Sequence, residues 1–338
     1  MELQYAENFA VDYYEDGYKM LTTLPDSKRY LLVPEGQPVP GGLDEDVSIL
    51  QEPLQNIYLV ASGVMDMFAS VDAVDQIRFS GQKQENWYIQ TAKDAMAAGD
   101  MIYAGKYSKP DYELLVSEGC DLAIENRMIT HSPEVVEMLQ SFDIPVMIEY
   151  SSYEQHPLGK VEWVKFFGAL TGKEAEAEEA FAEQTEILEK VESGEKTGKT
   201  IAFFYVTSNG LIQVRQSTDY IPKLIELAGG RYIFEDLEDS GSGRSTLNMQ
   251  VEDFYAGAKD ADILIYNSSI DGGVTTVDEL IGKCNILKDF KALQEGQVYC
   301  TTNDMYQQSM AIGYLLQDMH TVLTDDDTAK LRYLFLLQ

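Results

Sequence analysis

The chain has 338 residues, 45% apolar and 24% charged, the balance of an ordinary folded protein with room for about two domains. Its longest apolar runs, such as Ile201–Val206, fall far short of the roughly 20 residues that cross a bilayer, so no membrane span is encoded. Lys plus Arg number 25 against 57 Asp plus Glu, a formal charge of -32 that repels nucleic-acid phosphates and anionic lipid and favours, if any charged partner, a cationic one.

The start, MELQYAENF, lacks the basic residues and apolar core of a signal peptide. It fits either a cytoplasmic protein or one whose leader has been removed. Phe9–Tyr14 and Tyr18–Leu21 flank Glu15-Asp16-Gly17, and Asp-Gly between two strand-like runs predicts a hairpin. Arg29–Val33 is a third strand. Pro34 to Pro40, with Gly41 and Gly42 behind it, reads as a connection.

From residue 57 the pattern alternates. Strands are predicted over Ile57–Ala61, Ile77–Phe79, Met101–Tyr103, Asp121–Ile124 and Pro145–Glu149. Helices are predicted between them over Val64–Ser70, Trp87–Ala98, Tyr112–Ser117 and Ser132–Phe142, the last with Ser132 as its cap and Pro133 in its first turn. Such alternation predicts an α/β unit with a mainly parallel sheet. Leu158–Leu170 carries Val161, Val164, Phe167 and Leu170 at helical spacing. Lys173–Glu192 is an acidic helix with Phe181, Leu188 and Val191 on one face, about 30 Å long at 1.5 Å per residue. It is the natural bridge between two halves. The alternation then resumes with strands Thr200–Val206, Ile263–Tyr266 and Val298–Thr301, and helices Tyr220–Ala228, Val251–Lys259, Val277–Gly282 and Gln308–Leu323. Asp239–Ser245 is a Ser/Gly-rich loop. The expected architecture is therefore α/β, two lobes joined by one long helix. The divisions are 1–56 (a β-hairpin region packing on the first lobe), 57–157, a helical bridge over 158–192, and 193–338.

Catalytic and metal chemistry find little support. Gly194–Thr200 ends in Gly-Lys-Thr, but has three residues between its glycines where a phosphate loop needs four, and it precedes a strand instead of following one. Cys120, Cys284 and Cys300 are widely spaced, so neither a zinc ribbon nor a disulfide framework is expected. His131 and His156 follow strand ends and are the two histidines placed to meet acids around a metal, but polar loop positions are the leading reading of both. His320 lies on the last helix. No nucleophile stands beside a base. The protein is expected not to be an enzyme and to need no cofactor.

The strand ends carry aromatic and amide-rich loops instead. Trp87, Tyr88, Tyr107, Tyr153, Tyr205 and Tyr306 with Asn209 and Ser268 suit a large, partly flat organic ligand. Arg127 and Arg215 suit an anionic one or neutralise neighbouring acids. His156 completes the expected ligand-binding set.

Asp143-Ile-Pro-Val-Met-Ile-Glu149, then His156-Pro-Leu-Gly-Lys-Val-Glu-Trp163, resemble the iron-chelate and cobalamin class of ABC-transporter solute-binding proteins. Phe167-Gly-Ala-Leu-Thr-Gly-Lys-Glu-Ala-Glu-Ala-Glu178, Ile225-Glu-Leu-Ala-Gly-Gly230, Ala261-Asp-Ile-Leu-Ile-Tyr266 and Leu293-Gln-Glu-Gly-Gln-Val-Tyr299 extend the likeness over about residues 57–323. The resemblance implies a ligand cleft between the lobes, little motion about the helix, and delivery of cargo to a membrane permease with its own ATPase. It implies a monomer outside the cytoplasm, periplasmic or a lipid-anchored lipoprotein, whose leader this chain lacks. It also implies an acid on each lobe that meets permease arginines. Glu134 and Asp219 stand at those positions, although the family's usual second residue is Glu, and helix capping explains both equally. The expected cargo is an iron chelate. A corrinoid or haem comes second and a bare divalent metal third; a two-lobe α/β enzyme is the reading from another class.

Overall fold

In the computed structural model, which describes residues 1–237, 245–268, 270–326 and 328–338, the chain divides into two units. The Ser/Gly-rich loop read over Asp239–Ser245 lies, apart from Ser245, outside the described residues.

The first unit comprises 1–154, 158–182 and 307–310. Its central sheet runs Val146–Glu149, Leu122–Asn126, Ile57–Leu59, Ile77–Ser80, Ile102–Tyr103, and every pairing is parallel. Short runs rich in Ile, Leu and Val form the inner strands because helices cover both faces of such a sheet. Tyr58, Phe79, Ala123, Leu139 and Val146 meet in one cluster on one of those faces.

The N-terminal residues build a second sheet, ordered Phe9–Tyr13, Lys19–Thr23, Lys28–Val33, Val47–Gln51. The predicted hairpin and third strand are present. The fourth strand, parallel to the third, was not legible, because 34–46 reads only as a connection. Its register puts Phe9, Val11, Leu21, Tyr30 and Leu32 on one face. The Phe9 ring packs edge-on to Trp163 and Phe166, 4.9 and 5.3 Å between centroids.

Trp163 and Phe166 belong to the helix Pro157–Thr171. Its apolar periodicity predicts one buried face, yet every residue from Pro157 to Leu170 is buried. The N-terminal sheet covers the side that solvent would otherwise wet. Three charged residues, Lys160, Glu162 and Lys165, go inside with it. Glu162 accepts hydrogen bonds from the backbone N–H groups of Gln4, Tyr5 and Ala6 at 2.8–2.9 Å, and Lys165 lies 3.5 Å away. Glu154 likewise accepts from Glu7 and Asn8 and from the Trp163 indole. Two carboxylates thus stitch the first residues to this helix.

The helix Glu174–Glu192 carries the chain from the first unit into the second, the division falling after Ala182. Phe181, Leu188 and Val191 are buried as expected.

The second unit comprises 155–157, 183–306 and 311–338. Its sheet runs Thr246–Met249, Ile212–Arg215, Thr200–Val206, Ile263–Tyr266, Val298–Thr301, Leu334–Leu336, with Arg231–Tyr232 beside Thr200–Val206. The three core strands are parallel, but both ends are antiparallel, so this sheet is mixed. One antiparallel end follows from a tight turn after Val206, where Gly210 takes a φ of 80° and the Thr207 N–H reaches the Leu211 carbonyl at 2.9 Å. The terminal helix Ile312–Thr324 buries Asp318, which accepts from the backbone N–H groups of Arg332, Tyr333 and Leu334 and fixes the last strand. No helix among the described residues is long and apolar enough to cross a membrane.

Candidate functional site

Loops beyond the carboxyl ends of parallel strands are where an open α/β sheet collects ligand groups. In the first unit two such loops meet. Strand Leu122–Asn126 ends at Asn126, whose side-chain oxygen accepts from the Met128 N–H at 2.8 Å and turns the chain into a short 3-10 segment, Arg127–His131. Strand Val146–Glu149 ends at Glu149, whose buried carboxylate accepts from the N–H of Ser151 at 2.8 Å and from its hydroxyl. These two devices bring the Arg127 guanidinium over the Tyr153 ring, 4.6 Å from its centroid. Tyr150 stands against Tyr153 at 6.5 Å in an edge contact. Met128 and Tyr153 are 50% and 40% exposed, so the group offers a cation, a ring face and a thioether to solvent.

The other first-unit candidates have surroundings of their own. Trp87 is 0% exposed, its indole N–H is held by Ser80 Oγ at 3.0 Å, and it has no surface for a ligand. Its helix begins only at Gln90, three residues later than predicted. Tyr88 is exposed beside Lys93. Tyr107 is half-buried against the first-sheet core, next to a small hairpin of Gly105–Lys106 with Lys109–Pro110.

In the second unit Tyr205 is buried at a strand end, 6.2 Å from the ring of Tyr266. Asn209 is exposed in the turn after Val206 and accepts from the Thr207 hydroxyl at 2.6 Å. Ser268 is buried with its hydroxyl engaged by Thr301 and the Thr302 carbonyl. Tyr306 is partly exposed. His156 is half-buried, and burial, with Lys223 nearby, lowers its pKa from the ordinary value, which favours a neutral ring. Arg215 lies 3.5 Å from Asp219 on the side away from bulk water, so its charge is already matched.

The two docking candidates differ. Glu134 is exposed in the first turn of Pro133–Ser141, while the expected cap residue Ser132 makes no side-chain capping bond. Asp219 is 7% exposed; it caps Tyr220–Leu227 through the Ile221 N–H at 2.9 Å and pairs with Arg215.

Four residues of consequence escaped sequence inspection. Glu149 and Tyr150 shape the Tyr153 loop. Gln307 is buried and accepts from the Tyr88 N–H while donating to the Asn86 carbonyl, both at 2.8 Å; nothing in Tyr306-Gln307-Gln308 signals this. Glu125 is 0% exposed in the middle of its strand with neither carboxyl oxygen hydrogen-bonded, and burial pushes its pKa up to about 8. Among the described residues no three His, Cys, Asp or Glu side chains converge to hold a metal. A groove of about 740 Å³ elsewhere on the first unit is lined by exposed Asp72, Asp75 and Asp94 beside Arg78, which is engaged by the Gly99 and Asp100 carbonyls and Glu118.

No family model matches the chain. An uncharacterized lipoprotein of Methanocaldococcus jannaschii is 24% identical over 95% of this chain and 81% of its own length. Among solved structures, a possible iron-binding (periplasmic solute-binding) protein from Staphylococcus epidermidis superposes with a TM-score of 0.61 at 16% identity, covering 80% of this chain and 98% of the other. The periplasmic heme binding protein HutB of Vibrio cholerae gives 0.62 at 14% identity, covering 79% and 98%. Likeness at this level of identity establishes the fold, and the fold is the two-lobe α/β fold of periplasmic solute-binding proteins.

Proposed function

We propose that this protein is the solute-binding component of an ABC importer, that it captures iron held in an organic chelate outside the cytoplasm, and that it hands the cargo to a membrane permease. The observation that carries the reading is the Arg127–Tyr153 pair with exposed Met128, placed beyond two parallel strand ends of a solute-binding fold. A guanidinium charge suits the carboxylate, catecholate or hydroxamate oxygens of a chelate, while the ring and thioether suit its organic frame. Tyr88, exposed on the same unit, is a further contact on this reading. The lipoprotein name of the archaeal relative supports a lipid-anchored protein outside the cytoplasm. Haem is the second cargo, favoured by the same ring face and by the HutB likeness.

The test is calorimetric titration of the full chain with ferrichrome, haemin, cobinamide and divalent metals, alongside R127A and Y153A. Binding of one iron chelate, weakened about tenfold or more in both variants as befits a cation–ring contact desolvated by the bound ligand, is the expected result. Binding of bare metal alone, or of nothing in the panel, removes the iron-chelate reading.

A further inference from the structure

The last stretch of chain to join the first unit is Gln307–Met310, and it is fixed at both ends. At one end the Met310 N–H donates to the Asp66 carboxylate at 2.7 Å. At the other the Gln307 side chain, 0% exposed, donates its amide N–H to the Asn86 carbonyl and accepts from the Tyr88 N–H, both at 2.8 Å. Those two backbone groups flank Trp87, whose φ of -83° and ψ of 138° are extended. In a parallel ladder, the residue opposite makes this same pair of bonds with the two peptides that flank its neighbour. One buried amide thus stands in for a strand that the loop lacks. The loop, residues 81–89, leaves the carboxyl end of the parallel strand Ile77–Ser80, at the same end of the same sheet as the loops of Arg127 and Tyr153. Ser80 holds it from the near side, donating to the Gln82 carbonyl at 2.7 Å and accepting from the Trp87 indole at 3.0 Å.

We propose that Gln307 is a positioning residue for the ligand surface of the first unit, acting through the backbone on either side of Trp87 to turn the Tyr88 ring outward. The proposal rests on the reading of Tyr88 as a ligand contact. Physically, successive side chains of an extended segment point to opposite sides. Trp87 is 0% exposed and Tyr88 is 44% exposed beside Lys93, the alternation that an extended backbone at this point imposes. An amide that satisfies both flanking peptides fixes that alternation, because any rotation of the loop would leave a buried donor and a buried acceptor unmet. Gln307 is itself buried, so it contributes to ligand affinity without touching ligand.

The test uses the full chain as Q307A, Q307E, Y88A and Q307A/Y88A, with hydrogen exchange and ferrichrome and haemin titrations. Exchange of the Tyr88 amide reads the brace with no ligand present. Q307A should speed it about tenfold or more, since a buried N–H loses its acceptor. Exchange at Tyr153, whose amide donates to the Tyr150 carbonyl, and in Ile57–Leu59 should not change, which separates positioning from general loosening. At pH 5 the Q307E side chain is a buried neutral acid that again accepts from Tyr88 and donates to Asn86, so it should restore much of the protection. For whichever probe the native chain binds, Q307A should raise the dissociation constant about fivefold to tenfold, and the double variant should bind no worse than Y88A alone. Unchanged Tyr88 exchange in Q307A, or a further loss of binding in the double variant, would overturn the proposal. Native binding that Y88A leaves unaltered removes the ligand reading of Tyr88 instead, and the exchange result still decides whether Gln307 holds the loop.

Discussion

Glu162 and Glu125 lie in the same unit, are the same residue, and are both 0% exposed, yet their surroundings are opposite. Glu162 sits in a helix where three successive backbone N–H groups and Lys165 converge on its carboxylate. Glu125 sits in a strand and has no partner for either oxygen. The second arrangement favours the acid, because burial disfavours charge unless donors replace the lost water. Asp318 in the second unit is a third case. It too takes three backbone N–H groups, but burial outweighs them and its pKa stays raised. What sets Glu125 apart from the other two is its lack of donors, since burial is common to all three.

The largest expected effect follows from breaking the first arrangement. E162A leaves the N–H groups of Gln4, Tyr5 and Ala6 without their acceptor, although Lys165 keeps Glu178 at 3.0 Å, and should cost about 4 kcal/mol, within the range for loss of one partner of a buried ion pair. Chemical denaturation measures it. Residues 4–6 should become protease-sensitive first, because they lose their anchor on the helix. A loss near 1 kcal/mol would mean that the N-terminal sheet holds itself in place and Glu162 is incidental.

The next effect has the opposite sign. With a folded pKa of about 8 against an ordinary 4.5, Glu125 keeps its proton in the native state while the unfolded chain releases it between those values. Native stability should therefore fall as pH rises from about 4.5 to about 8 and level off beyond. E125L removes the titration, so it should stabilise the protein on the order of 3 kcal/mol at pH 8.5 and much less at pH 5. Tyr58 and Tyr112 feel the Glu125 charge, and the Tyr58 phenol already donates to the Gly105 carbonyl, so neither tyrosine rescues the ion. Urea titrations at both pH values decide it; a loss of stability in E125L at pH 8.5 would show that Glu125 has an unrecognised donor.

Neither state was readable from sequence, and the reason is general. Local pattern exposed most of the elements: Thr200–Val206 and Ile57–Leu59 are continuous apolar runs because parallel strands are covered on both faces, and Phe181, Leu188 and Val191 mark one stripe of a helix. The strands it did not expose, Val47–Gln51, Ile212–Arg215, Thr246–Met249 and Leu334–Leu336, are short and depend on a partner strand more than on their own composition. The candidate site divides the same way. Arg127 and Tyr153 were legible as polar and aromatic residues at strand ends. Trp87 was misplaced because an aromatic in a loop carries no mark of which way its ring turns. Gln307 was invisible because its partners lie 219 and 221 residues away. Glu125 and Glu162 look alike in the sequence for the same reason: the donors of one come from residues 4–6, and the other has none.

The smallest effect tests whether that contrast extends to helix termini. Glu134 and Asp219 occupy similar places in the sequence, each an acid near the start of a helix in its half of the chain. Asp219 is withdrawn, with one oxygen on the Ile221 N–H and the other facing Arg215. D219A should lose a cap and leave a half-buried guanidinium unmatched, about 2 kcal/mol together. Asn caps as well as Asp, so D219N should recover the capping share and leave only the charge loss. E134A removes an exposed carboxylate in the first turn of its helix, where it meets the helix dipole, and should change stability by no more than about 0.5 kcal/mol. Thermal unfolding of the three variants at one ionic strength makes the comparison. If E134A and D219A destabilise equally, position along the helix outweighs burial. If they differ as expected, Glu134 is the acid that stability leaves free for a partner's cation, and Asp219 is the acid the fold has already used.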